Sequence, residues 1–225
     1  SAMAIIHPMR HMQRLREAQV VIEAIPEDPV MKRALFAQLG QVCEPSSLLA
    51  SNTSSISIAS LGMASGRPDR VVGIHFMNPV PVMRLVEVVR AIQTSEHTVQ
   101  LALELVRRAG KTAVVCKDSP GFIVNRVLIP MINEAVFALE ESVASAEAID
   151  LAMVEGTNHP VGPLALADRI GLDTVLAICE VLHQDLGDPK FRPCPLLRKY
   201  VEAGRLGRKS GHGFYVYGDQ PVTVS

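Results

Sequence analysis

Short apolar runs in the first half of the chain alternate with longer stretches of helical spacing. The short runs are continuous and rich in β-branched residues, which predicts strands buried on both faces, at residues 18–25, 47–51, 71–76, 85–89 and 112–116. Between them, apolar residues three or four positions apart predict helices over residues 29–42, 56–64 and 95–109. Strand–helix alternation of this kind predicts an open α/β sheet.

After Lys117 the pattern changes to helical spacing almost throughout. Ser119 and Pro120 suit a helix start, because serine can cap a helix and proline fits its first position. Helical runs are then predicted over residues 122–141, 146–155, 164–186 and 196–203, with one late strand at 213–217. We therefore predict two parts, an α/β domain over residues 1–117 and a helical domain over residues 118–225.

Composition excludes several classes of function. The chain has 22 Lys and Arg against 23 Asp and Glu, and this balance argues against a nucleic-acid-binding protein. We expect no membrane span either, because no apolar run approaches the roughly 18 residues required. The four cysteines are widely spaced and form no CxxC pair, which predicts reduced thiols, a cytoplasmic location and no metal site.

Two ionisable residues interrupt apolar strands. His75 lies near the end of the strand predicted at 71–76, and Glu87 lies inside the strand predicted at 85–89. Pro79 and Pro81 lie between them and force a turn, so the two strands can double back and bring the side chains together. A carboxylate beside an imidazole fixes its tautomer and favours its protonated form, which suits a general base. From these residues alone, a buried structural pair is the alternative.

Two further polar positions are candidates. Residues 51–55 read SNTSS and follow a predicted strand, where open α/β sheets bind ligands. Their alternative is a polar turn that caps the next helix. Asn125 lies one turn into the helix predicted from Pro120, where asparagine also serves backbone capping.

Six separated motifs, taken together, resemble one family. They are VIEAIPED at 21–28, SNTSS at 51–55, HFMNPVPVMRLVEVV at 75–89, DSPGFIVNR at 118–126, HPVGPLALADRIGLD at 159–173 and GRLGRKSGHGFYVY at 204–217. In this order they resemble the 3-hydroxyacyl-CoA dehydrogenases, in particular the bacterial-type 3-hydroxybutyryl-CoA dehydrogenases. The resemblance implies a Rossmann-type, doubly wound sheet, followed by a helical C-terminal domain that forms a homodimer.

The resemblance also implies an oxidoreductase of fatty acid metabolism that interconverts (S)-3-hydroxyacyl-CoA and 3-ketoacyl-CoA. His75 matches the base that takes the proton of the substrate 3-hydroxyl while hydride leaves carbon 3 for NAD. Glu87 matches the carboxylate that orients this histidine. Ser54 and Asn125 match groups that hydrogen-bond the substrate's 3-oxygen and carbonyl region.

The implied cofactor is NAD, and Glu27, Lys32 and Asn52 match positions that contact its nicotinamide end. The family's Gly-rich turn for the pyrophosphate has no counterpart here, because the sequence contains no G-x-G-x-x-G. We therefore expect the chain to bind NAD weakly and to have little or no activity. We also expect an apolar edge at residues 18–25 that another segment or chain covers.

Two other functions stay open at this stage. One is a related β-hydroxyacid dehydrogenase, a class that usually relies on a lysine base in its helical domain. The other is an acyl-CoA-binding or oligomerisation module without turnover.

Overall fold

We describe a computed structural model of the chain over residues 6–218. The chain forms two compact units, and the boundary between them falls between Phe122 and Ile123. Five strands of the first unit form one sheet: β1 (Val20–Glu23), β2 (Leu48–Ser51), β3 (Val71–Phe76), β4 (Leu85–Arg90) and β5 (Thr112–Lys117). Its three α-helices are α1 (Pro29–Val42), α2 (Ile58–Ser65) and α3 (Glu96–Arg108).

The sheet has the strand order β1-β2-β3-β4-β5. The pairs β1–β2, β2–β3 and β4–β5 are parallel, and β3–β4 is antiparallel. The antiparallel pair arises because the chain turns back between Phe76 and Leu85, where the sequence has two prolines. The register places His75 opposite Glu87, as the proline-containing connection predicted.

Helices cover both faces of this sheet. Leu49 and Val71 pack with side chains of α1 and α2, including Phe36. The next residues along each strand point the other way, and Val72 packs with α3 residues such as Val106. Strands buried on both faces explain the continuous apolar runs, and the predicted Rossmann-like fold class is confirmed for this part of the chain.

The second unit is helical. Its helices are α4 (Val124–Glu140), α5 (Ala146–Thr157), α6 (Pro163–Ile170), α7 (Leu172–Leu186) and α8 (Pro195–Glu202). They enclose one apolar core, in which Ile132, Leu164, Val175 and Leu197 are fully buried. The predicted change from an α/β to a helical architecture is therefore correct.

Two helix boundaries predicted from the sequence are wrong. Ser119 does not cap a helix, because Gly121 and Phe122 have φ angles of 73° and 49°, which form a left-handed turn, and α4 begins only at Val124. The run predicted over 164–186 is two helices, because Gly171 has φ 103° and separates α6 from α7.

The strand predicted at residues 213–217 is also wrong, since only isolated bridges connect His212 with Gly207 and Val216. The backbone amides of Phe214 and Tyr215 instead donate to the buried carboxylate of Asp168, at 3.0 Å each. The hydroxyl of Tyr217 donates to the same carboxylate at 3.0 Å. The hydroxyl of Tyr215 donates to a second aspartate, Asp150, at 2.8 Å. The apolar run of this motif therefore belongs to a segment that is held on the helical unit by hydrogen bonds to two aspartates.

Strand β1 is an edge strand, as predicted. Within residues 6–218 it pairs only with β2, and Val20 and Ile22 are 37% and 41% exposed. The expectation that another segment or chain covers this edge stays a prediction.

Candidate active site

The centre of the candidate site is the imidazole of His75. Its Nδ1 lies 2.7 Å from Oε2 of Glu87, and its Nε2 lies 2.9 Å from Oγ of Ser54. His75 is 6% exposed and Glu87 is fully buried. An ionised carboxylate can only accept, so Nδ1 carries a proton, and Nε2 is the ring nitrogen that faces the hydroxyl of Ser54.

The sheet explains why these three residues meet. Strands β2 and β3 are parallel, so their carboxyl ends lie at the same edge. Ser54 follows β2 and His75 ends β3, and the return strand β4 adds Glu87 from the antiparallel side. The ring of Phe122 contacts the imidazole edge-on, with 5.5 Å between centroids. The imidazole is therefore fixed on several sides, and only its Nε2 faces the polar loop.

We call residues 52–55 the Ser54 loop, and Glu27 fastens it. One carboxylate oxygen of Glu27 accepts hydrogen bonds from Oγ1 of Thr53 at 2.5 Å and from the amide of Ser54 at 2.9 Å. It also accepts from the amide and hydroxyl of Ser55 at 3.1 and 3.0 Å. Burial raises the pKa of Glu27, but these hydrogen bonds and the charge of Lys32 lower it further, so the net shift is downward. Glu27 therefore stays ionised and holds the loop at neutral pH.

Lys32 and Glu23 form a buried ion pair beneath this loop. Nζ of Lys32 lies 2.6 Å from Oε1 of Glu23, 3.2 Å from the carbonyl of Ile25 and 3.3 Å from Oε2 of Glu27. The second oxygen of Glu23 accepts from Oγ of Ser51 at 2.6 Å. Sequence reasoning missed Glu23, although it is a carboxylate at the end of an apolar strand, the same signal that identified His75.

Asn52 and Asn125 lie in different units. Oδ1 of Asn52 accepts from the amide of Phe76 at 2.9 Å, which connects the ends of β2 and β3. Asn125 belongs to the second unit, where it is the second residue of α4. The first unit thus contains six of the seven predicted site residues, and the contribution of Asn125 stays a prediction.

The carboxyl edge of β1, β2 and β3 fits one end of a dinucleotide. Glu27 keeps 40% of its side chain exposed, and Asn52 and Ser54 are half-buried beside it. Open α/β sheets bind dinucleotides at this edge, so these polar groups suit part of NAD. The sequence contains no G-x-G-x-x-G, so they do not include the usual loop for the pyrophosphate.

Within residues 6–218, no three side chains of His, Cys, Asp or Glu are placed to share a metal ion. Nor does this part of the chain contain a helix with the length and hydropathy needed to cross a membrane.

Comparison with known sequences assigns both units to the same protein family. Residues 1–119 match the family model of the 3-hydroxyacyl-CoA dehydrogenase NAD-binding domain, and residues 121–217 match that of the C-terminal domain. The chain is 57% identical over 212 residues to the "Probable 3-hydroxybutyryl-CoA dehydrogenase" of Deinococcus radiodurans, covering 94% of this chain and 76% of that protein. It is 52% identical to the 3-hydroxybutyryl-CoA dehydrogenase of Bradyrhizobium diazoefficiens, covering 98% and 76%.

A solved structure is similar as well. The crystal structure of (S)-3-hydroxybutyryl-CoA dehydrogenase from Ralstonia eutropha superimposes with a TM-score of 0.94 at 49% identity, covering 97% of this chain and 77% of that one.

Proposed function

The chain belongs to the 3-hydroxyacyl-CoA dehydrogenase family, and we propose that it catalyses the NAD-linked interconversion of 3-hydroxybutyryl-CoA and acetoacetyl-CoA. The observation that carries the proposal is the hydrogen-bonded series Ser54–His75–Glu87 at the carboxyl edge of the sheet. Relatives and a similar structure named for this reaction support the choice of substrate.

The chain's own residues manage the proton. In the oxidation direction, Nε2 of His75 takes the proton of the substrate 3-hydroxyl, and the carboxylate of Glu87 stabilises the imidazolium that forms. In the reduction direction the imidazolium returns that proton to the 3-oxygen. Ser54, already 2.9 Å from Nε2, is placed to hydrogen-bond the 3-oxygen of the substrate. Proton transfer by a positioned group contributes about 10²–10⁴ in rate.

The cofactor, when bound, supplies the hydride chemistry. Of the three residues that match cofactor-binding positions, Glu27 and Asn52 are proposed to form the surface for its nicotinamide end, and Lys32 to support Glu27 from beneath. Glu27 and Asn52 have accessible surface for this role, and Lys32 lies beneath Glu27.

We propose that the 225-residue chain binds NAD weakly and turns over slowly, because it contains no Gly-rich pyrophosphate loop. Each charged hydrogen bond that such a loop provides contributes about 1.5–3 kcal/mol. Isothermal titration with NADH tests this point, and micromolar affinity would contradict it.

The experiment that tests the function follows NADH oxidation with acetoacetyl-CoA at millimolar NADH, which offsets weak binding. We expect slow but measurable formation of 3-hydroxybutyryl-CoA. Free acetoacetate in place of the thioester tests the related β-hydroxyacid dehydrogenases, and we expect no turnover with it. Faster turnover of the free acid would contradict the proposed substrate.

The second candidate is an acyl-CoA-binding or oligomerisation module without turnover, and the missing pyrophosphate loop is the observation that favours it. Binding of acetoacetyl-CoA without NADH oxidation under the same conditions would support this module and contradict the enzyme.

We further propose a homodimer formed through the helical unit. Val127, Val143 and Leu151 of that unit are 68%, 71% and 61% exposed, and such apolar side chains suit an interface. Sedimentation equilibrium tests the dimer, and a monomer at micromolar concentration would contradict it. We also propose a cytoplasmic location, which the four free cysteines support.

A further inference from the structure

The pair Glu23–Lys32 is buried without an evident benefit to stability. The side chains are 0% and 1% exposed, and their charged atoms lie 2.6 Å apart. Burying two charges costs desolvation free energy, and replacing such a pair by apolar side chains of similar volume is often neutral or stabilising. The neighbouring core of α1 and β2 supplies such apolar packing already. A buried charged pair at this position therefore points to a role in specifying geometry.

Glu23 reaches the Ser54 loop by a route along the sheet. Its Oε2 accepts the hydroxyl of Ser51 at 2.6 Å, and the same hydroxyl oxygen accepts the amide of Thr53 at 3.2 Å. Its Oε1 accepts the amide of Ile25 at 2.6 Å, which fixes the end of β1. One buried carboxylate thus fixes the last residue of β2, immediately before the loop.

A second route leads to the loop through Lys32. An ammonium group has three N–H donors, and three protein acceptors surround this one: Glu23, the carbonyl of Ile25 and Glu27. With a side chain that is 1% exposed, Lys32 has no donor left for a ligand unless one of these contacts opens. The ammonium group of Lys32 instead forms an ion pair with Glu27. The Glu27 carboxylate in turn accepts hydrogen bonds from backbone amides and hydroxyls of the Ser54 loop.

We propose that Glu23 and Lys32 are positioning residues, which hold the Ser54 loop from two sides and thereby fix the Ser54 hydroxyl on Nε2 of His75. This inference rests on the proposed function, in which Ser54 and His75 face the substrate. It moves the role of Lys32 from direct contact with the cofactor to support of Glu27. It also adds Glu23, to which the family resemblance assigned no role.

The main variant is the double substitution Glu23→Gln with Lys32→Met. It removes both charges at similar volume, so the fold is expected to survive, but Glu27 loses its ammonium partner. The readouts are NMR hydrogen exchange at the amides of Ser54 and Ser55, and the Nε2 resonance of the His75 ring. Neither readout requires turnover, so a failed activity assay and a failed positioning test are separate results.

We expect the amides of Ser54 and Ser55 to exchange about tenfold faster in the double variant. The hydrogen bond that each amide donates to Glu27 is weakened when Glu27 loses its ammonium partner. We also expect the Nε2 resonance to shift as Ser54 leaves the ring. The matched control is the double substitution Glu104→Gln with Arg107→Met, which removes an ion pair at the surface. We expect it to leave both readouts unchanged. Exchange within twofold of wild type, with an unshifted Nε2 resonance, would overturn the proposal.

A second variant decides the question if the double variant does not fold. Ser51→Ala removes only the hydroxyl that connects Glu23 to the loop, at a small buried position. The proposal predicts faster exchange at Ser54 and Ser55 here also. Unchanged exchange together with an unshifted His75 ring would exclude the route through Glu23.

Discussion

Glu87→Gln isolates the charge of the carboxylate that orients His75. Glutamine has nearly the same size, and its carbonyl oxygen can still accept a hydrogen bond from Nδ1, so the ring keeps a partner. What disappears is the negative charge 2.7 Å from the imidazole. Its loss matters only when the ring is protonated, which is the state that follows proton transfer in oxidation and precedes it in reduction.

The size of the effect follows from this distance. At an effective dielectric constant of about 20, unit charges at this separation attract by about 6 kcal/mol. The hydrogen bond that Nδ1 donates to the neutral amide oxygen returns about 1 kcal/mol, and reduced desolvation returns a similar amount. About 4 kcal/mol is then lost when the imidazolium forms, and since each 1.36 kcal/mol is tenfold, kcat falls about 10³-fold. No discount for solvent applies, because Glu87 is fully buried.

The assay is steady-state oxidation of 3-hydroxybutyryl-CoA at millimolar NAD, the direction in which the imidazolium forms, with KM and kcat determined separately. We expect kcat to fall and KM for 3-hydroxybutyryl-CoA to stay within about threefold, since Glu87 lies behind the imidazole and acts through it. Glu96→Gln is the control, because Glu96 pairs with Arg90 on the exposed surface, and it should retain full activity. A Glu87→Gln variant within tenfold of wild type in kcat would refute the reasoning.

Three further predictions follow from the structure. Asp168→Asn removes the charged acceptor of three hydrogen bonds and should lower the free energy of unfolding by about 3–5 kcal/mol in urea titrations. Asp173→Asn, at a partly exposed ion pair, should lower it by at most about 1 kcal/mol. A loss below about 1 kcal/mol for Asp168→Asn would contradict the role of Asp168 in holding the segment at 213–217. Burial and the charges of Glu87 and Asp118 raise the pKa of Cys116 to about 12, so at pH 8 only about one thiol in 10⁴ is ionised. Iodoacetamide should therefore label Cys116 far more slowly in the folded protein than in urea, and its labelling should accelerate with rising pH; equal rates in both states would contradict this environment. Extension of the chain by a family-type Gly-rich segment at its N-terminus should raise NADH affinity at least 100-fold in isothermal titration, and an unchanged affinity would contradict our account of the weak binding.

The strands of the sheet were predicted well from the sequence, because strands buried on both faces consist of continuous runs of apolar residues. The runs at 71–76 and 112–116 coincide with β3 and β5 to within one residue. The pairing of His75 with Glu87 was also predictable, since a short proline-containing connection limits how two adjacent strands can pair. Local sequence was sufficient wherever the partners are neighbours in the chain.

Features that depend on distant partners were not predictable in this way. The hydrogen bonds of Glu23 to Ser51 and of Asp168 to Tyr217 join residues 28 and 49 positions apart, and no spacing rule indicates them. The same reason explains the false strand at 213–217, whose aromatic side chains and backbone amides make contacts to the helical unit instead. Gly171 ended a helix because of its positive φ, and helical periodicity alone does not show where such a conformation occurs.

The most direct test compares the turnover of wild type, His75→Gln and His97→Gln with acetoacetyl-CoA and millimolar NADH. His97→Gln is the control, because His97 is an exposed histidine. The account predicts slow turnover in wild type, unchanged turnover in His97→Gln, and a loss of at least 100-fold in His75→Gln while the variant stays folded. Turnover by His75→Gln at the wild-type rate would contradict the claim that this imidazole moves the proton.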